Sequence, residues 1–416
     1  MSTEQNMHDP REIIRGFQQL LFSPAKCIGF FTGAGTSMAV ENPSDRKPLI
    51  PGIEMLTELI GEKLSDAKEK NFKAAFKLVR DELKKENQSS QIEYVLSNIR
   101  LKARVIGPGT LCGLNQDQFK EMETKITAEI EKVVDPEIPA EVVHQKFARW
   151  IRNAKRKKAI EIFTTNYDYL FEVGLERENV SYFDGFVGSH NPFFCPSTIS
   201  ENDLPTDWVR LWKLHGSLGW KLDEKEKRII RQRGPGNLMV FPSYLKYDDS
   251  RKQPYVSFID RLDTFLREDD SFLIICGYSF GDQHLNETIV HALSRTRASA
   301  VYAFLYGEVD ENHHAVSLAK SEPRLTLMAN NAAVIGGAYA PWKLNREPSA
   351  SDSVQISSYF DEDAVPANPL EKKTGGKEIP DQEVYWAGKG SLKLGNFVNL
   401  INFLTMMLPN ETKEIS

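Results

Sequence analysis

Cysteine is scarce in this chain: Cys27, Cys112, Cys195 and Cys276 are the only four in 416 residues, and no CxxC pair occurs. That spacing argues against a zinc ribbon, and no zinc is expected. Cys27 and Cys276 stand in apolar, strand-like runs and are read as reduced, buried thiols. Long hydrophobic runs are missing as well. No window approaches the roughly 18 unbroken apolar residues that a membrane helix needs, so no membrane association is expected. The opening segment, MSTEQNMHDPREIIRG, lacks the apolar centre of a signal peptide, and a cytoplasmic protein is expected. An excess of one charge is also absent. Lys and Arg total 52 against 58 Asp and Glu, a net charge of −6, so no global basic field would draw the chain to nucleic acid. The one basic run, Lys155-Arg156-Lys157-Lys158, is read as a solvated helix end.

What is present is enough apolar residue, 41%, to bury a substantial core in a chain of this length. The apolar run Lys26 to Thr32 reads as a buried strand that opens onto Gly33-Ala34-Gly35-Thr36-Ser37. Residues from about 54 to 158 then read as mostly helical. Apolar spacings of three and four mark Glu54 to Leu64, Phe72 to Lys84, Ile92 to Val105 and Phe119 to Val134, with a further helix after Pro139. This stretch reads as a helical insertion in an α/β domain.

Strand–helix alternation resumes at 159, with strands expected at Ala159 to Thr164, Val180 to Phe183, Val209 to Leu214, Leu238 to Phe241, Ser271 to Cys276 and Ala300 to Leu305. Such alternation implies a Rossmann-like α/β fold with a mostly parallel sheet, whose ligands gather beyond the carboxyl ends of the strands. Residues 1–344 are therefore read as one α/β domain. Residues 345–381, rich in Ser, Asp, Lys and Pro, read as a flexible connector, and 382–416 as a C-terminal helical tail. Whether that tail packs on its own chain or on a neighbour is open at this point.

Each notable polar motif follows an expected strand. Gly33 and Gly35 let backbone N–H groups approach a phosphate, and Thr36 and Ser37 add hydroxyls. The third glycine of the dinucleotide fingerprint is absent. In Thr165-Asn166-Tyr167-Asp168 the Asn166 amide can donate to and accept from a sugar hydroxyl or a water, while Asp168 either caps the following helix or touches ligand. His215, before Gly216-Ser217, stands where a proton acceptor would face a cleft. The fourth segment is Gly277-Tyr278-Ser279. Other candidates have plainer readings. Trp208, Trp212 and Trp220 are read as packing, Arg231 and Arg233 as part of an exposed hairpin, and His313-His314 as no metal site; His284 is a marginal candidate for the pocket mouth.

Taken in order over roughly residues 25–305, these four segments resemble the sirtuin (silent information regulator) family. The resemblance implies that Gly33 to Ser37 cradle the phosphates of NAD. It further implies that Asn166, flanked by Thr165 and Asp168, positions the nicotinamide ribose and a water, that His215 is the general base, and that Gly277 to Ser279 contact the adenosine side. Two departures stand out. The four-cysteine zinc module of deacetylating sirtuins is absent, and Pro51-Gly52-Ile53-Glu54 stands where they carry Gly-Ile-Pro-Asp-Phe-Arg. The long helical stretch and the form Gly277-Tyr278-Ser279-Phe280-Gly281-Asp282 are similar to the prokaryotic antiviral branch. That branch implies NAD hydrolysis to nicotinamide and ADP-ribose in antiphage defence, within a homo-oligomer and with a HerA-type ATPase as partner. An NAD-dependent deacylase, a non-catalytic NAD sensor and a dinucleotide dehydrogenase are the rival readings.

Overall fold

The structure, a computed structural model, describes residues 7–64, 70–199, 204–223, 225–232, 253–350, 352, 354–362 and 387–408. The strand expected at Leu238 to Phe241, Arg233 with Gly234-Pro235-Gly236, and much of the expected connector lie outside them.

The fold is mixed α/β with a mostly parallel sheet. Its strands in chain order are β1 (Cys27–Thr32), β2 (Ile160–Thr164), β3 (Tyr182–Phe183), β4 (Val209–Lys213), β5 (Ser271–Cys276), β6 (Ala300–Phe304), β7 (Leu325–Met328), β8 (Ala332–Ile335) and β9 (Ala338–Pro341). Every residue of β1, β2, β4 and β5 is buried, the burial expected of strands covered on both faces. The chain divides into two compact units. One comprises Met1–Phe31, Arg149–Ile160 and Asp263–Ser416, the other Thr32–Ala148 and Glu161–Leu262.

In the first unit the strand order is β9-β8-β7-β6-β5-β1. β5, β6 and β7 run parallel, with Phe304 opposite both Cys276 and Met328. β8 and β9 close the edge as an antiparallel hairpin. The helix Pro10–Phe22, not anticipated from its polar start, is set by Asp9 and Pro10: the Asp9 carboxylate accepts from Arg11 N at 2.9 Å, and proline occupies the first turn. Its Phe17 sits among Phe272, Tyr302, Phe304 and Phe403. Phe403 belongs to the C-terminal helix Phe397–Met406, which therefore packs on its own chain. The basic run after residue 154 is not simply solvated. Half-buried Arg156 donates to the carbonyls of Leu21, Ser23 and Lys26, tying down the end of that first helix.

The second unit carries β2-β4-β3 in that order, with β3 parallel to β4. The helices Ile53–Lys63, Lys70–Lys85, Ile92–Val105 and Gln116–Val134 pack against one another in this unit. Asn115 caps the last of them through a reciprocal pair of bonds with Gln118. His144 lies edge-on to Phe171, and the helix Leu170–Arg177 crosses here so closely that a Cβ on Gly174 would stand 2.7 Å from the His144 carbonyl carbon. A four-stranded antiparallel sheet is built from Phe186–Val187, Phe193–Phe194, Arg228–Arg231 and Trp220–Asp223. Its Arg231 pairs with Asp184 and lies over the Phe186 ring, so it is bound and not an open hairpin cation.

Candidate active site

Three segments of the second unit meet at strand ends. Thr165 N donates to Thr32 O at 3.0 Å, and Leu214 N donates to Thr164 O at 2.8 Å. These bonds bring together the glycine turn, the Asn166 turn and the His215 turn, which follow the carboxyl ends of β1, β2 and β4.

The glycine turn becomes a short helix, Ala34–Met38, with Gly33 as its first boundary. Ala34 is exposed and Gly35 half-buried, whereas Thr36 and Ser37 are buried. Thr36 and Ser37, expected to add hydroxyl donors for a phosphate, turn theirs inward. Thr36 Oγ1 donates to Gly33 O at 2.9 Å, and Ser37 Oγ donates to Asp168 Oδ2 at 2.5 Å. Both hydroxyl protons are therefore spent inside the protein, and Ala34 is the exposed residue of the turn.

Asn166 is buried, 7% exposed, and its Nδ2 lies 3.1 Å from Gly33 O, 3.0 Å from Thr36 Oγ1 and 2.8 Å from Ser37 Oγ. A backbone carbonyl can only accept, so the nitrogen must face the glycine turn and Oδ1 must face the other way. Asp168 is both a cap and a brace: besides holding Ser37, it accepts from Leu170 N at 3.0 Å. Half-buried Thr165 contributes its backbone bond to Thr32.

His215, also buried, follows Leu214 directly and precedes Gly216, whose φ of 93° turns the chain sharply. The two turns are fastened together by groups that the sequence reading passed over. Buried Lys213 donates to the carbonyls of Tyr167 and Asp168 and to Ser217 Oγ, and pairs with Glu172 at 2.7 Å. Burial pushes the Glu172 carboxyl above its usual range, and the neighbouring Lys213 ammonium pulls it back in part. Tyr169 OH donates to Leu218 O at 2.6 Å, and at Gly219, φ 74°, a Cβ would come within 2.8 Å of that same hydroxyl. The signal was available: Lys213 is a cation inside an otherwise buried strand run.

The fourth segment, Gly277-Tyr278-Ser279, lies in the first unit beyond β5. Gly277 has φ 68°, Tyr278 is buried, and Ser279 is exposed. The single proton of the Tyr278 hydroxyl is shared between Asp282 O at 3.1 Å and Asn286 Oδ1, on the helix Gln283–Ser294, at 2.9 Å, and its ring meets Phe31 and Phe280. Its role is thus to hold the loop, leaving backbone and Ser279 to face outward. Half-buried His284 is the second residue of the helix Gln283–Ser294, which Asp282 caps. His313 caps its own helix through Nδ1. Among the described residues no cluster of three or more His, Cys, Asp or Glu could hold a metal ion. No described helix is long and apolar enough to cross a membrane. Trp212 and Trp220 are buried against Phe258, as packing residues.

Residues 160–326 match a family model described as SIR2-like domain. The match supports a sirtuin-like family and ties the chain to NAD-related activity in the broad sense. The matched span contains the Asn166, His215 and Gly277 segments, and begins after the glycine turn and the helical stretch. No curated protein matches the chain.

Proposed function

We propose that the chain is an NAD+ hydrolase that cleaves the bond between nicotinamide and ribose, giving nicotinamide and ADP-ribose. The observation that carries this reading is the Asn166 carboxamide, bonded through Nδ2 to Gly33, Thr36 and Ser37, at the end of β2, beside the strand that leads into the His215 turn. Breaking the glycosidic bond develops positive charge on the ribose, and the leaving nicotinamide is already cationic, so no general acid is needed. The remaining tasks are to place a nucleophile and to take its proton. Asn166 Oδ1 accepts from a ribose hydroxyl or from the attacking water, and His215 takes the proton that the water gives up as it bonds to the sugar carbon. The backbone of the Ala34–Gly35 turn receives the phosphates, with Thr165 and Asp168 holding the Asn166 turn. The resemblance assigns the adenosine side to the Gly277 to Ser279 loop, which Tyr278 holds from within.

The resemblance extends this reading to a setting: NAD depletion in antiphage defence, in a homo-oligomer working with a HerA-type ATPase. The site itself is tested with NAD as substrate. His215→Ala should lose about 10²–10⁴-fold in turnover while still binding NAD, and Asn166→Ala should also lose turnover. Full nicotinamide release by His215→Ala would remove the assigned base.

A further inference from the structure

We propose that Lys213 is a positioning residue, whose buried ammonium holds the Asn166 turn and the His215 turn in one fixed arrangement. This rests on the hydrolase reading above. The side chain of Lys213 is 3% exposed. Its Nζ reaches Tyr167 O at 3.4 Å, bonds Asp168 O, reaches Ser217 Oγ at 2.9 Å and pairs with Glu172 Oε1 at 2.7 Å. Tyr167 and Asp168 follow Asn166 by one and two residues, and Ser217 follows His215 by two. One cation is therefore bonded to the backbone of one turn and the side chain of the other.

Parallel ties run the same way. Leu218 N donates to Tyr167 O at 3.1 Å, Tyr169 OH donates to Leu218 O, and the Tyr169 ring lies 5.2 Å from the ammonium. A buried ammonium is costly unless its protons are all engaged, so its set of acceptors is held tightly, and with it the spacing of both turns. Glycosidic attack needs the water, the ribose and the base in register. A misplacement of about 1 Å costs on the order of 10²-fold in rate. Lys213 touches no substrate in this account; it acts through Asn166 and His215.

The test is Lys213→Met combined with Glu172→Gln, which keeps side-chain length and leaves no carboxylate buried alone. Amide hydrogen exchange is followed in peptides covering 164–170 and 213–220, with β6 as the reference, beside kcat and KM for nicotinamide release. We expect exchange to quicken at least tenfold in both turns with β6 unchanged, and kcat to fall about 10–100-fold with little change in KM. Exchange that rises in one turn alone or in neither, or an unchanged kcat, overturns the proposal. Ser217→Ala, which removes a single tie, should move the same readouts in the same direction by less, and decides the matter if the double variant does not fold. Should the unaltered protein release no nicotinamide, the hydrolase reading falls, while the exchange measurement still decides whether Lys213 couples the turns.

Discussion

The two faces of β4 carry the same kind of interaction put to different ends. Alternate residues of a strand face opposite ways. Arg210 and Trp212 both reach Glu161, which Arg261 also holds through two bonds, with Nε at 2.9 Å from Oε2. That cluster joins β2, β4 and the helix Tyr255–Arg267, and includes no candidate site residue. One residue along, Lys213 on the other side joins two turns that hold Asn166 and His215. Buried ion pairs thus say little by themselves about function; what matters is which segments they connect.

This contrast can be broken by substitution. Glu161→Ala leaves two buried guanidinium groups without their shared carboxylate, and should cost about 3–5 kcal/mol of stability by chemical denaturation, with turnover per folded molecule unchanged. A loss under about 1 kcal/mol would mean that the cluster is not a structural anchor. Ser37→Ala should cost less, about 1–3 kcal/mol, because it removes one hydroxyl bridge between Asn166 and Asp168. Its turnover should nevertheless fall, which Glu161→Ala should not show; equal turnover in the two would erase the distinction.

The smallest effect concerns pH. Burial alone lowers the His144 imidazole to about 3 from its ordinary 6.5. Below pH 6.5 the unfolded chain takes a proton that the folded chain refuses, so stability falls as pH drops from about 6.5 towards 3. For this one group the slope is at most about 1.4 kcal/mol per pH unit. Denaturation of the unaltered protein and of His144→Leu at pH 7.5 and 5 should show a steeper loss in the former. Parallel losses would contradict the assignment.

The fold was largely legible because its strands are short apolar runs ended by glycine or polar residues. Ser271–Cys276 coincides with expectation, and Ile160–Thr164 and Val209–Lys213 shift by a single residue. The helix Pro10–Phe22 goes unread from sequence although Asp9-Pro10 is a start signal. The hairpin of β8 and β9 was missed because Ala-rich strands have weak strand propensity. At the site, residue types that mark a ligand turn could be read, but not which way they face. Thr36, Ser37 and Tyr278 spend their hydroxyls internally, a choice set by neighbours distant in sequence. Lys213 and Glu172 escaped notice for the same reason: a charge in a buried strand shows its purpose only when its partner is placed.

The most direct test of the account supplies the protein with NAD and water alone, without any acylated peptide, and quantifies nicotinamide and ADP-ribose. Equimolar release of both is expected. Intact NAD under every condition, or nicotinamide release that requires an acyl-lysine peptide, would contradict it.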